Sequence, residues 1–526
     1  MRFYAKRHHF FRSPSGSGSV STEKPDQKTD PDTDPDPEKT LWFRLVRVGV
    51  FPKQPKAMTI RTVRRNITFR RLLLDMAQMV RCCVPATRLL GRPFARSLRY
   101  IELDITYRCN LRCPNCNRSC TQAPDDREMS PDQIRAFVEE SIAAGWQWER
   151  IHLMGGEPTL HRDFESILGI LRHYRDHHNP GMRIVLCSNE QGPAVRRALA
   201  RLPADIDIRS SPPTSRPRLF RPFNMAPRDQ RRYRWADYGS GCRIMAECGM
   251  GLTPLGYYPC AIAGGIDRIF GYRIGRSHLP ATEDTMADLL EVFCPLCGHF
   301  GFAWPTRKAR ISPTWDKAYT RFKERQFLDR YYRINAKNYH NETAHVDPAP
   351  FLEPLGRCLA PGATVVDVGC GSGRDLLWMR QRGFTAIGIE KSPALAELAR
   401  SHSGCAVIEA DFETFDFAGL PCDALLLVGA LVHLPHERLI PFIHRVVAGL
   451  KPGGWVVLSL KQGRGSHRAP DGRVFYLWQE SDLTKAIHHT GLSVVSFSRQ
   501  GSLLGNRDIW LTYRLKKAVP VLAKTW

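Results

Sequence analysis

The feature that most constrains the fold is an alternation of apolar strands and amphipathic helices, which occurs twice along the chain. The first alternation begins after Tyr100 and the second at Ala363. Such alternation predicts parallel sheets whose strands are joined by crossover helices. A chain of 526 residues is long enough for about three domains. We therefore expect an α/β protein with two separate sheets.

The first alternation gives specific strands and helices. We predict strands at Ile101–Thr106, Arg150–Met154 and Met182–Cys187, and helices at Pro131–Ala144 and Asp163–His173. No apolar run approaches the ~18 residues that span a bilayer, and the first twelve residues lack the apolar core of a signal peptide. Sixteen cysteines without a secretion signal favour a reducing compartment, where thiols bind metals. We predict a cytoplasmic protein.

The net charge of +24 is concentrated in one segment. Residues 41–100 carry 14 basic residues and one acidic residue, whereas residues 1–40 are balanced. The Ser/Gly-rich and then Pro/Asp-rich stretch Ser13–Thr40 predicts disorder. Ile60–Val80 reads as a basic amphipathic helix, either packed on the next domain with its arginines solvated or docked on an anionic surface such as a membrane or RNA.

A cysteine triplet follows the first predicted strand, in the sequence YRCNLRCPNCNRSC. Cys109, Cys113 and Cys116 have the spacing CxxxCxxC, and three thiolates suit a 4Fe–4S cluster that leaves one iron open to another ligand. The alternative is a zinc site completed by Cys120. A second motif, GGEP, follows the next strand and contains Gly155, Gly156 and Glu157.

The triplet and GGEP together resemble the radical S-adenosylmethionine (SAM) superfamily over residues 100 to about 300. The resemblance implies a partial (β/α) TIM-like barrel in which the triplet holds a 4Fe–4S cluster. Gly155, Gly156 and Glu157 match the motif for the SAM amino group, and Ser188 and Asn189 resemble further SAM contacts. The family usually has an aromatic residue at the position of Asn115. Reductive SAM cleavage would need an electron donor such as flavodoxin or ferredoxin.

A second group of cysteines lies in the irregular region that follows. Its members are Cys242, Cys248, Cys260, Cys294 and Cys297. Four of these five thiols would form one metal site, with Cys248 and Cys242 as alternatives. Two short strands are predicted around Pro254–Gly256. The arrangement resembles the auxiliary-cluster ("twitch") region of some radical SAM enzymes, and structural zinc is the alternative.

The C-terminal alternation begins with VVDVGCGSGRD. A strand contains Asp367, and Gly369 and Gly371 then permit a tight turn and a close ligand. Glu390 ends the next strand, 21 positions after Gly369, as expected for a carboxylate that binds ribose hydroxyls, and Asp411 fits an adenine contact.

These motifs resemble a class I SAM-dependent methyltransferase over about residues 325–515, which implies a Rossmann-like doubly wound domain. The segments from Tyr331, around His433 and from Asp471 resemble those of a small-molecule group within that class. His433 would be a base or a residue that shapes the substrate site. Methyl transfer itself needs mainly proximity and orientation.

The sequence thus predicts a bifunctional enzyme with two SAM sites, one SAM-binding 4Fe–4S cluster and an auxiliary cluster. One half would functionalise a C–H bond and the other would methylate a small molecule or peptide. The alternatives are an RNA-modifying enzyme that uses the basic arm, disfavoured because no RNA-binding signature is present, and a zinc-bound methyltransferase scaffold. The predicted boundaries are 1–40 (disordered), 41–99 (basic helical arm), 100–240 (barrel), 241–317 (auxiliary region) and 318–526 (methyltransferase).

Overall fold

A computed structural model describes residues 69–210, 222–304, 306, 308 and 310–519. The chain divides between Gln54 and Pro55, and all described residues belong to the second unit. The disorder predicted for residues 1–40 and the first part of the predicted arm, up to residue 68, lie outside the described residues.

The N-terminal half is built on one six-stranded sheet. Its strands are β1 (Tyr100–Thr106), β2 (Arg150–Gly155), β3 (Arg183–Ser188), β4 (Asp207–Ser210), β5 (Met250–Thr253) and β6 (Gly256–Tyr258). Its helices are α1 (Phe69–Arg81), α2 (Val84–Leu90), α3 (Pro131–Ala143), α4 (Phe164–His178), α5 (Pro193–Ala200), α6 (Arg243–Cys248), α7 (Ala261–Phe270) and α8 (Ala287–Phe293). The predicted strands and helices of this half are confirmed to within a few residues at most ends.

The strand order is β4-β3-β2-β1-β5-β6, with β1 to β5 parallel and β6 antiparallel to β5. The order β1 to β4 is sequential, as in the wall of a (β/α) barrel. The sheet is open, and the curvature of a partial barrel stays a prediction. The two strands predicted around Pro254–Gly256 exist, but they extend this sheet and do not form a separate layer.

Strand β1 shows why this sheet is buried on both faces. Ile101, Leu103 and Ile105 are fully buried on one face, and the alternate residues Glu102 and Asp104 are also buried. Burial of both faces is expected of a parallel sheet covered by crossover helices. The polar face of β1 is therefore part of the interior that supports the candidate site.

The C-terminal half contains the second alternation. Its strands are β7 (Thr364–Val368), β8 (Thr385–Glu390), β9 (Ala406–Glu409), β10 (Cys422–Val428), β11 (Leu450–Lys461), β12 (Ser466–Arg468), β13 (Val474–Tyr476), β14 (Leu492–Gly501) and β15 (Ile509–Lys517). Its helices are α9 (Pro313–Ile334), α10 (Ala336–Thr343), α11 (Ala349–Gly356), α12 (Arg374–Gln381), α13 (Pro393–Ser403), α14 (His436–Val446) and α15 (Glu480–His488).

The seven-stranded sheet has the order β14-β15-β11-β10-β7-β8-β9. All of its strands are parallel except β15, which runs antiparallel to β11 and to β14. The order reverses beside β7, and ligands of doubly wound sheets bind at the carboxyl ends of strands at such a switch point. The predicted Rossmann-like fold is confirmed, and Gly369 follows β7 at this point.

Helix α9 belongs to both halves. Trp315, Tyr319 and Phe322 in its first part are buried in the core of the first sheet, whereas Tyr332 near its end contacts His433. The predicted boundary between residues 317 and 318 therefore falls within one continuous helix. That boundary remains a proposal about domains, not a break in the backbone structure.

Helix α1 confirms the described part of the predicted basic helix, but the side it packs on the body is polar and not the apolar side that the first of the two alternatives required. Asp75 and Gln78 are buried against the body, whereas Leu73 and Met76 are exposed. No helix in the described part of the chain is both long and apolar enough to cross a bilayer.

Candidate functional site

The cysteine triplet lies on the loop that follows β1. Cys109, Cys113 and Cys116 are half-buried, and the loop is fixed by the side-chain amide of Gln122, which donates to the carbonyl oxygens of Cys113 (3.2 Å) and Pro114 (2.8 Å). These hydrogen bonds fix the cysteine loop at the carboxyl end of a strand of a parallel sheet.

Cys120 lies beside the triplet, as the zinc alternative requires. A hydrogen bond with the Cys120 thiol lowers the pKa of Cys116 to about 6, and the same contact raises the pKa of Cys120. Asn115 is buried; its amide donates to the Lys308 carbonyl and its side-chain oxygen accepts from the Arg310 N–H, both at 3.4 Å. Asn115, at the position where an aromatic residue would be usual, thus ties the loop to Lys308 and Arg310.

The GGEP loop packs directly on the cysteine loop. The Gly156 N–H donates to the Thr106 carbonyl and the Glu157 N–H to the Arg108 carbonyl, both at 2.8 Å. A Cβ added at Gly156 would lie 2.1 Å from the Arg108 carbonyl oxygen and 3.0 Å from Cys109 Cβ. Only glycine fits this approach without moving the backbone that carries Cys109.

Glu157 connects the ends of β2 and β3. Its carboxylate accepts hydrogen bonds from the Ser188 hydroxyl (3.0 Å), the Asn189 N–H (2.8 Å) and the Thr159 hydroxyl (2.7 Å). The side chain is fully buried, and burial raises its pKa. The predicted residues Glu157, Ser188 and Asn189 are therefore brought together. The Asn189 amide reaches Asn110 of the cysteine loop (2.8 Å), a contact that sequence reasoning missed.

A buried network of charged side chains connects the end of the cysteine loop to strand β1. The Arg118 guanidinium contacts Glu102 (2.8 Å) and Asp104 (3.0 Å) of β1, and His152 Nδ1 lies 3.5 Å from Glu102. Sequence reasoning did not single out these residues. The signal was present, because acidic residues alternate with apolar ones in a strand that a parallel sheet buries on both faces.

Four of the five later cysteines line one small apolar pocket. They are Cys242, Cys260, Cys294 and Cys297. Burial, reinforced by the neighbouring thiols, raises the pKa of Cys260 and Cys294 well above the usual range. Cys248 does not line the pocket; it ends α6, where it neighbours Arg150.

The donor sets of both cysteine groups fit metal–thiolate chemistry, since soft thiolates bind zinc and iron–sulfur clusters. Within the described residues, no group of three or more His, Cys, Asp or Glu side chains is arranged so that it could bind a metal ion. Both cysteine groups nonetheless supply thiols of the kind that such metals bind.

The predicted methyltransferase residues meet at the carboxyl ends of β7 and β8. The Gly371 N–H (3.0 Å) and the Ser392 N–H (2.8 Å) donate to the two carboxylate oxygens of Glu390. Gly369 has a φ of +71°, and an added Cβ would lie 2.7 Å from Ala430 Cβ. Asp367 is buried beneath this turn, and burial together with the nearby Asp375 carboxylate raises its pKa well above the usual range.

Asp411 lies near these residues but is held by two cations. Its carboxylate is 2.9 Å from Arg273 Nη2 and 3.2 Å from Lys391 Nζ. Burial alone would raise the pKa of Asp411, but Lys391 and Arg273 lower it below the usual range. Arg273 belongs to the N-terminal half, so Asp411 connects the predicted adenine end of the pocket to the other half of the chain.

His433 has one ring nitrogen fixed by the backbone and one facing a tyrosine. Its Nδ1 lies 2.6 Å from the Val474 carbonyl, which only accepts, so Nδ1 carries the proton. Nε2 therefore accepts from the Tyr332 hydroxyl at 2.9 Å. Burial lowers the pKa of His433 to about 4. The Arg473 guanidinium lies 3.4 Å from the same hydroxyl, and sequence reasoning missed both Tyr332 and Arg473 as partners.

Two family models match this chain. Residues 103–210 match the radical SAM superfamily, and residues 365–454 match a methyltransferase domain. Curated relatives include the GTP 3',8-cyclases of Mannheimia succiniciproducens, 39% identical over 84 residues, and Edwardsiella ictaluri, 40% identical over 83 residues. These matches cover 16% and 15% of this chain and 24% of each relative. The chain thus spans about a quarter of the length of these relatives.

Similar solved structures include a SAM-dependent methyltransferase from Methanosarcina mazei, with 16% identity and a TM-score of 0.30, covering 32% of this chain and 97% of that one. Another is the 1,6-didemethyltoxoflavin-N1-methyltransferase of Burkholderia thailandensis, with 21% identity and a TM-score of 0.32, covering 40% and 92%. The two family matches show that one chain carries a radical SAM domain and, after it, a methyltransferase domain, two kinds of domain that both use SAM.

Proposed function

We propose that the chain is a bifunctional enzyme that functionalises a C–H bond in its N-terminal half and transfers a methyl group in its C-terminal half. The observation that carries the radical half is the contact between the GGEP loop and the cysteine loop. Gly156 lets the two backbones approach so closely that an added Cβ would collide with the Arg108 carbonyl at 2.1 Å. Two elements with separate roles, metal ligation and SAM binding, are thereby held as one unit.

In this proposal Cys109, Cys113 and Cys116 hold a 4Fe–4S cluster, and Gly155 and Gly156 border the SAM site. A reduced cluster would supply the electron that cleaves SAM to methionine and a 5′-deoxyadenosyl radical, which abstracts hydrogen from the substrate. Glu157 positions the ends of β2 and β3 by accepting the Ser188 and Asn189 hydrogen bonds. Asn110 extends that positioning to the cysteine loop through Asn189.

In the C-terminal half, Asp367, Gly369, Gly371, Glu390 and Asp411 would surround SAM, whose sulfonium supplies the methyl group. Glu390 holds the glycine turn by accepting the Gly371 N–H. The turn lies at the switch point of the sheet, where ligands bind.

We infer that His433 acts through Tyr332 and not by direct contact with the acceptor. Because Nδ1 is committed to the Val474 carbonyl, Nε2 is the only basic atom of the ring, and the Tyr332 hydroxyl lies on it. The hydroxyl can pass its proton to Nε2 as it takes one from the methyl acceptor. Tyr332→Phe should therefore slow methyl transfer by about a hundredfold or more. Tyr331→Phe is the matched control, because the Tyr331 hydroxyl donates to Asp471 and not to His433.

The auxiliary site is proposed to be a second iron–sulfur cluster held by the four pocket cysteines. About eight irons per chain after reconstitution would support it, whereas about four irons with bound zinc would assign the site to zinc. The relatives are named for cyclisation of GTP, but the match covers too little of them to carry over a nucleotide substrate. We propose a small molecule or a peptide as substrate, with flavodoxin or ferredoxin as electron donor.

The test is anaerobic reconstitution of the full chain, followed by incubation with reductant, methyl-labelled SAM and host extract. We expect 5′-deoxyadenosine from the wild type but not from Cys116→Ala, with the exposed Cys358→Ala as control. Labelled product and S-adenosylhomocysteine should be lost in Gly369→Ala and retained in Gly419→Ala, where an added Cβ meets nothing within 4 Å. Persistent absence of 5′-deoxyadenosine in the wild type would eliminate the radical half of the proposal.

A further inference from the structure

Helix α1 is amphipathic, but its apolar side faces away from the body of the protein. Phe69, Leu73, Met76 and Val80 recur at helical spacing, and between 46% and 76% of each side chain is exposed. We call these four residues the apolar face of α1. Single exposed apolar residues are common, but a stripe along one helix is the pattern of an interaction site.

The polar side of α1 anchors the helix to the body. Asp75 is buried and contacts the Arg243 guanidinium at 2.7 Å. The Gln78 amide donates to the Phe300 carbonyl at 2.9 Å, and its oxygen accepts from the Arg243 N–H at 3.3 Å. These buried polar contacts fix the rotation of the helix, because turning it would leave the Asp75 and Arg243 charges buried without each other. The exposure of the apolar face is therefore specified by the sequence.

Helix α2 continues the same arrangement. Thr87 is its buried residue, whereas Leu89 and Leu90 are 83% and 54% exposed. The two helices follow one another directly along the chain, separated only by Cys82 and Cys83. The exposed apolar area is thus larger than one helix alone provides.

The sequence segment that contains α1 and α2 is almost entirely positive in charge. Residues 41–100 contain 14 basic residues, and their single acidic residue, Asp75, is the one that is buried and paired with Arg243. Seven of the basic residues directly precede α1, between residues 41 and 68. No negative side chain of this segment therefore remains on the outside of α1 or α2.

We propose that the apolar face of α1, together with Leu89 and Leu90, docks the enzyme on an anionic phospholipid surface. Aliphatic side chains beside arginines match the boundary between acyl chains and anionic headgroups, where the long basic side chains keep their charges in the headgroup layer. RNA fits less well, because the face offers a single aromatic ring, Phe69, and not a series of rings on which bases stack.

The test is co-sedimentation of the full-length protein with vesicles of phosphatidylcholine alone and of phosphatidylcholine mixed with phosphatidylglycerol. We expect binding to the anionic vesicles, weaker binding at high salt and little binding to the neutral vesicles. A triple variant with Leu73→Gln, Met76→Gln and Val80→Gln should bind about tenfold more weakly or worse. The control triple variant Val495→Gln, Leu504→Gln and Ile509→Gln removes exposed apolar residues of the C-terminal half and should bind like the wild type.

Three results would overturn the proposal. They are absence of wild-type binding to the anionic vesicles, equal binding by the α1 variant and the wild type, and equal wild-type binding to neutral and anionic vesicles. A concentration-dependent dimer that is lost in the α1 variant would assign the face to a second copy of the chain instead. The comparison of lipids and salt uses only the wild type, so a negative result there overturns the proposal even where the triple variant fails to fold.

Discussion

Arg273 of the N-terminal half contacts Asp411 of the C-terminal half, with Nη2 and Oδ2 2.9 Å apart. Arg273 has a left-handed backbone, with φ of +53°, and its N–H donates to buried Asp267. A nonglycine residue in this conformation needs such support from its surroundings. The arginine is thus held in place to reach the residue that the sequence assigns to the adenine of SAM.

If Asp411 binds the adenine amino group, Arg273 competes with it. We predict that Arg273→Ala strengthens the binding of S-adenosylhomocysteine to the C-terminal half by up to about fivefold, the upper limit expected for a partly exposed ion pair. Calorimetric titration in a background that lacks the first cysteine triplet measures this site alone. Arg276→Ala, which breaks ion pairs with Asp284 and Asp288, is the control. Unchanged or weaker binding in Arg273→Ala would contradict the competition.

Gly156→Ala should disrupt the first cluster. The added Cβ would collide with the Arg108 carbonyl and crowd Cys109, so the cysteine loop must move. We expect formation of 5′-deoxyadenosine to fall by about a hundredfold, since misplacement of about 1 Å in an active site has costs of that order. Gly169→Ala, at a position where an added Cβ meets no atom within 4 Å, should retain the wild-type rate. Equal rates in the two variants would refute the role of the close approach.

The two candidate ligands Cys248 and Cys297 should behave differently. Cys297 lines the pocket with three other thiols, whereas Cys248 lies outside it. We predict that Cys297→Ser removes the metal of the auxiliary site and that Cys248→Ser retains it. Iron, zinc and sulfide analysis of the reconstituted variants measures the difference, about four irons per chain if the site holds a cluster. Loss of the same metal from Cys248→Ser would place Cys248 in the site.

His433 should make stability depend on pH. Its folded pKa of about 4 lies below the usual value of about 6.5, so between these values the unfolded chain binds more protons. The contribution of His433 to the free energy of unfolding is therefore complete above about pH 6.5 and is lost as the pH falls toward 4. The total loss is about 3 kcal/mol. We expect the Tm of the wild type to fall more steeply than that of His433→Gln between pH 7 and about 5. Parallel pH profiles in calorimetry would show that His433 titrates normally.

The strands and the local helix signals were predictable because they depend on neighbouring residues. Ile101, Leu103 and Ile105 mark β1 by their alternation, and α3 begins at a capping box formed by Ser130 and Gln133. The glycine and cysteine motifs could also be predicted from the sequence, because glycines at tight turns and closely spaced cysteines each occur in few kinds of site.

The features that could not be predicted from the sequence are contacts between residues that lie far apart along the chain. Tyr332 and His433 are separated by 101 positions and Arg273 and Asp411 by 138, so only the tertiary fold joins them. The orientation of α1 also escaped prediction. Its hydrophobic pattern predicted a helix, but the buried Asp75–Arg243 pair determines which side faces the body, and no local pattern contains Arg243.

Helix α9 connects the region of the cysteine triplet to the region of His433. Near its start the Tyr319 hydroxyl bonds to Ser119, which follows the cysteine triplet, and near its end the Tyr332 hydroxyl bonds to His433, both within 3 Å. The two tyrosines lie 13 positions apart along the helix, a rise of about 20 Å. In the proposed bifunctional enzyme, a small substrate would have to leave one of these regions to reach the other, whereas an extended peptide would be long enough to reach both.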